Sequence, residues 1–145
     1  MTIDKIERTL DFPFPQERIW RAVTQPEEIC RWFCDRMTMR LEVGSDLVME
    51  WDEYGTTTGM VEVMEPNGRF AFRWRAHNVP ETEAMTEQNS TLVTYLLTPL
   101  ENGTRLQVIE TGFAALHPEL REKAYRENTS GWAAELSELV AYLEA

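Results

Sequence analysis

Histidine and cysteine are scarce, two of each in 145 residues. That scarcity limits the chemistry. Cys30 and Cys34 lie one helical turn apart, but no second pair of ligands completes the four-coordinate set of a zinc site. Both are expected to be reduced, partly buried thiols, with no metal and no disulfide. Around His77 and His117 no Ser and Asp are placed to suggest a triad, and neither a glycine-rich phosphate loop nor HExxH occurs. No catalytic residue is assigned, and no cofactor is expected.

Basic charge is also in short supply. Lys and Arg number 14 against 25 Asp and Glu, for a net charge of −11. A field of that sign repels phosphate, which argues against nucleic acid or an anionic membrane as partner. Apolar runs of the ~18–20 residues that a membrane span requires are absent. The opening MTIDKIERTL lacks the basic and apolar segments of a signal peptide, so a cytoplasmic location is expected. Repeats, low-complexity segments and composition shifts are missing too, so residues 1–145 are expected to form one domain.

The sequence is well supplied with aromatic residues, including five Trp, and its apolar share is 43%. A disordered chain would have neither. Residues 3–12 place Ile6, Leu10 and Phe12 on one face and predict a strand. Pro13 and Pro15 break it, and Pro15 suits a helix start for Gln16–Val23. Pro26 opens a second short helix carrying Ile29, Trp32 and Phe33. From residue 37 the pattern turns to β. Expected strands are Met37–Val43, Asp46–Asp52, Thr56–Glu65, Arg69–Arg75, Thr91–Thr98 and Thr104–Thr111, separated by turns such as Pro66-Asn67-Gly68 and Asn102-Gly103. Residues 77–90 are polar and acidic without a period, and predict a mobile loop. After His117-Pro118 the period is helical. Trp132, Leu136, Leu139, Val140 and Leu143 form one apolar stripe, and Gly131 inside it suggests close approach to a neighbour or a bend.

The order is β-α-α followed by six strands and a long helix, which predicts an α+β fold. A meander of six hairpin-linked strands has one face to bury, and the last helix is the only long amphipathic element able to cover it.

This order and several short motifs resemble the Hsp90-ATPase-activator-like family of the START-related, helix-grip superfamily. The matching pieces include Ile19-Trp20-x-Ala22-x-Thr24-x-Pro26, Trp32-Phe33, Gly59-x-Val61, Phe72-x-Trp74, Gly103-Thr104-x-Leu106, Glu110-x-Gly112-Phe113 and Gly131-Trp132. The resemblance implies a curved antiparallel sheet gripping the C-terminal helix, with a cavity between them. Relatives in the superfamily bind lipids, sterols or hormones, or act as cyclases or dehydratases. In eukaryotic Hsp90 activators the domain follows a separate chaperone-binding domain, which the sequence beginning at residue 1 is expected to lack.

Three readings follow. The first is a non-catalytic domain that holds a small hydrophobic or amphipathic ligand between sheet and helix. Its expected cavity residues are Trp20, Trp32 and Phe33 from the helical region and Met49 and Trp51 from the third strand. Phe70, Phe72, Trp74 and Tyr95 come from later strands, and Trp132 and Leu136 from the last helix. The second is a protein-interaction module with a chaperone-type partner. The third is an enzyme of cyclase or dehydratase type. One polar feature stands out. Arg8 shares parity with Ile6 and Leu10, and Glu110 with Leu106 and Val108. If the first and last strands are neighbours, as in the helix-grip topology, the two charges are expected to pair or to share a polar network on the buried face, as candidate polar anchors.

Overall fold

The structure, a computed structural model, describes residues 4–145. Its elements run β1 (Lys5–Phe12), α1 (Gln16–Thr24), α2 (Pro26–Ile29), β2 (Arg36–Met39), β3 (Asp46–Trp51), β4 (Gly55–Glu65), β5 (Arg69–Arg75), β6 (Ser90–Leu100), β7 (Gly103–Thr111) and α3 (Pro118–Glu144). The expected first strand began at Ile3, which lies outside the described residues. A short 3-10 turn, Phe113–Ala115, connects β7 to α3 and has no periodic signal in the sequence.

Proline sets the helix boundaries. Pro15 is the N-cap of α1. Gln25 is extended, with φ −77° and ψ 121°, because Pro26 disfavours the helical region for the residue before it. That single extended residue ends α1 and allows α2 to start at Pro26.

The seven strands form one antiparallel sheet in the order β1-β7-β6-β5-β4-β3-β2. β2 is shorter than the alternation suggests. Residues 40–45 leave the sheet because Ser45 Oγ accepts from the Arg40 N–H at 2.9 Å and Gly44 takes φ +89°, a left-handed conformation open to glycine. One face of the sheet carries the core. Across five strands, Val61, Phe72, Val93, Glu110 and Ile6 pair in a single row. Four members are apolar, and the fifth is a carboxylate with no solvent exposure.

α3 lies over this face and buries Trp132, Leu136, Leu139 and Leu143. Its C-terminal end is tied to the first helices. The Tyr142 hydroxyl donates to Glu28 Oε1 at 2.8 Å, and Arg18 meets the same oxygen at 2.5 Å. The result is the α+β helix-grip arrangement: a sheet, one long helix across it, and two short helices inserted after the first strand.

Candidate functional site

The two halves of α3 present different faces to the sheet. From Trp132 onward the inward positions are bulky and fill the space. Followed backward, the same stripe falls on Ala124, Asn128 and Gly131, with Ala134 and Glu135 beside them. Small and polar side chains there leave a cavity of about 970 Å³ between the helix and the end of the sheet. A Cβ built on Gly131 meets no atom within 4 Å. This corrects the expectation that Gly131 marks close approach. It borders open space.

The floor is aromatic and centres on Phe33. Trp132 stacks on it with ring centroids 5.4 Å apart, Trp74 stacks at 6.0 Å, and Trp51 meets it edge-on at 5.5 Å. The Trp51 indole N–H donates to the Phe33 carbonyl at 2.6 Å, so backbone fixes its ring. The structure brings Phe33, Trp51, Trp74 and Trp132 to the cavity. It does not bring Trp20, Trp32, Met49, Phe70, Phe72, Tyr95 or Leu136 there; these pack in the core. Some stand directly behind the floor: Phe72 meets Trp74 edge-on with centroids 5.3 Å apart, and Tyr95 meets Trp132 at 6.2 Å. Trp32 donates its indole N–H to the Ala22 carbonyl at 2.8 Å.

Beneath the floor lies Glu110. Its Oε1 accepts from the Trp132 indole N–H at 2.8 Å. Its Oε2 accepts from Thr91 Oγ1 at 2.6 Å, Asn128 Nδ2 at 2.9 Å and the Trp74 indole N–H at 3.0 Å. One carboxylate thus orients both large rings and joins β5, β6 and β7 to α3. Burial pushes its acidity toward weaker acid, and the four donors oppose that shift.

The expected pairing of Arg8 with Glu110 does not occur. β1 and β7 are antiparallel neighbours, but Ile6 stands opposite Glu110 and Arg8 opposite Val108. The Arg8 guanidinium donates to the Glu7 carbonyl at 2.9 Å instead. Four neutral donors satisfy Glu110, so a guanidinium is not required.

The polar members of the site went unrecognised in the sequence: Thr91, Asn128 and Glu135. A signal for the helical pair was present, since Asn128 lies one turn before Trp132 on the backward extension of the apolar stripe and Glu135 lies within the stripe, between Trp132 and Leu139. Glu135 lines the cavity, and its carboxyl is pushed up to about 7, first by burial and then by Glu138 and Asp35. Its neighbours are Cys34 and Asp35, directly after Phe33. Burial pushes the Cys34 thiol up strongly, and its Sγ lies 4.0 Å from that of Cys30.

His77 and Asn78 reach the cavity mouth from the start of the long loop. The loop's other end is anchored. Asn89 is buried, accepts from the Thr86 N–H at 2.8 Å, and donates to Glu83 Oε2 and the Ala84 carbonyl, each at 2.9 Å. The polarity that suggested a mobile segment is in part spent on bonds within it. Among the described residues no helix is long and apolar enough to cross a membrane.

Similarity to known proteins follows the same architecture. The crystal structure of protein MLL2253 from Mesorhizobium loti is 25% identical and superposes with a TM-score of 0.80 over 97% of this chain and 96% of that one. The HSP90 activator PFC0360w from Plasmodium falciparum is 17% identical, with a TM-score of 0.78 over 98% of this chain and 97% of that one. DynU16, a protein of the dynemicin biosynthetic locus, is 21% identical, with a TM-score of 0.78 over 99% of this chain but 48% of its own. No curated protein matches the sequence. Residues 13–144 match the family described as activator of Hsp90 ATPase homolog 1-like protein. With that match spanning nearly all of its length, the chain belongs to the family of activator of Hsp90 ATPase homolog 1-like proteins.

Proposed function

We propose that this domain is a non-catalytic receptor for a small apolar or amphipathic molecule, held between the N-terminal half of α3 and the aromatic floor. The observation that carries the reading is the cavity itself. At about 970 Å³ it falls in the range of small-molecule sites, and its base is aromatic with a few fixed polar groups. Both indoles bonded to Glu110 are held in place before any ligand arrives, which lowers the ordering cost of binding.

Three cavity residues are tryptophans, so intrinsic fluorescence reports on occupancy. A panel of apolar and amphipathic molecules, read by fluorescence and by thermal shift, is expected to yield binders that raise the melting temperature. Gly131→Phe, which fills the open space, is expected to fold and to lose those responses. A panel that leaves the wild type unchanged defeats the reading.

A second reading is a protein-interaction module, supported by the family description and by the Plasmodium activator. The net charge of −11 supplies the surface. Retention of an Hsp90-type chaperone at low salt, weakening as salt rises, is the expected result. No retention at low salt counts against it.

A further inference from the structure

Charge in the cavity is one-sided once each pairing is traced. Lys123 faces Glu127 at 3.8 Å, and Arg126 faces Glu122 at 3.7 Å. Arg75 follows Trp74 and has opposite parity in β5. Its guanidinium donates to Thr58 Oγ1 at 2.7 Å and to the Glu83 carbonyl at 3.1–3.2 Å. All three cations along the wall are engaged elsewhere. Glu135 is different. It lines the cavity one turn beyond Gly131, and among the described residues it has neither a salt-bridge partner nor a side-chain hydrogen bond. Of the groups that bear on it electrostatically, Asp35 and Glu138 are acidic, while Cys34 and Tyr95 are buried and neutral. Among the described residues no Lys or Arg faces it; His77 is the one further base that lines the cavity, at its mouth.

An ionised carboxyl in a half-buried wall lacks only its counter-ion. Phe33, which directly precedes Cys34 and Asp35, lines the same cavity with Trp51 edge-on against it, and aromatic faces attract cations as carboxylates do. The net charge of −11 draws cations toward the molecule as a whole. We propose that the ligand is a cationic amphiphile, whose ammonium group pairs with Glu135 beside Phe33 and Trp51 while its apolar body lies along Trp74 and Trp132. This deepens the receptor reading above and rests on it. Weak acidity of Glu135 adds a consequence: the carboxyl is charged above about pH 7 and neutral below, so the cation is held at high pH and released as pH falls.

Three probes that share one chain and differ in their heads make the test: decyltrimethylammonium, decanoate and decanol, each below its micelle concentration. At pH 8 the ammonium is expected to bind at least tenfold more tightly than decanoate, with decanol between them. Its own charge does not titrate, so its affinity should drop several-fold between pH 8 and pH 5.5. Glu135→Gln should remove both the head-group preference and the pH dependence, and a far-UV circular dichroism spectrum and cooperative melting transition like those of the wild type show that the variant folds. Equal or tighter binding of decanoate overturns the proposal, as does a Glu135→Gln variant that keeps the preference. Decanol binding without any head-group preference sinks this inference alone. Failure of all three probes defeats the receptor reading as well.

Discussion

Trp132 and Glu110 meet at 2.8 Å across the gap between α3 and β7, an indole N–H donating to a carboxylate with no solvent exposure. The same carboxylate accepts from Trp74 on β5 at 3.0 Å. The aromatic floor is therefore assembled on a polar pin.

Removing the pin should be costly. Glu110→Ala leaves the Trp132 N–H without an acceptor and strips partners from Thr91, Asn128 and Trp74. Each orphaned buried donor costs about 1–3 kcal/mol, so a loss of roughly 3–5 kcal/mol is expected. Urea unfolding measures it. A loss under about 1 kcal/mol would contradict the network.

Stability should respond to pH through Glu135. Its folded value, about 7, lies above the ordinary 4.5. The folded form holds the proton more tightly, so the stabilising contribution is complete below about 4.5 and is lost as pH rises through about 7. Glu135→Gln carries no such proton. Its urea midpoint should gain on that of the wild type between pH 5 and pH 8, and parallel profiles would refute the assignment.

Two glycines should answer alanine in opposite ways. A Cβ on Gly131 meets nothing within 4 Å, so Gly131→Ala should stabilise the helix by up to about 1 kcal/mol. A Cβ on Gly59 would lie 2.0 Å from the Arg73 carbonyl oxygen and 2.9 Å from the Trp74 Cα. Gly59→Ala must push β4 and β5 apart beneath the cavity floor, at a cost of about 1–3 kcal/mol or more. Thermal denaturation of both variants decides, and equal effects would invalidate the contrast.

At the far end of α3, Tyr142→Phe removes the donor to Glu28 Oε1. A loss of about 1 kcal/mol is expected, since Arg18 still satisfies the carboxylate. No change on chemical denaturation would mean that the hydroxyl contributes nothing to docking the helix.

The fold was legible because its signals are local. Alternation in Arg69–Arg75 named the strand to the residue, and Pro26 placed a helix start. The cavity was legible only by resemblance. Phe33 and Phe72 look alike as members of an aromatic set, yet one lines the cavity and the other is sealed behind Trp74, because which ring stands in front is a tertiary fact. Gly131 and Gly59 are likewise indistinguishable in sequence. Register explains the failure of the Arg8–Glu110 pair: parity put both on one face, but a two-residue offset and four closer donors decided the partner.

The sheet order also has a consequence for synthesis. Among the described strands β1 comes first in sequence and pairs with β7 alone, which comes last. Asp11 and Arg105, bonded at 2.8 and 3.1 Å across that seam, are 94 positions apart. At ~5–20 residues per second, the first strand waits roughly 5–20 s after leaving the ribosome before its partner exists. During that interval an alternating strand with Ile6, Leu10 and Phe12 on one side stands unpaired. The molecule is therefore most vulnerable to clumping as a nascent chain, and closure of its oldest strand onto its youngest is the late, non-local step that sets how fast it becomes safe.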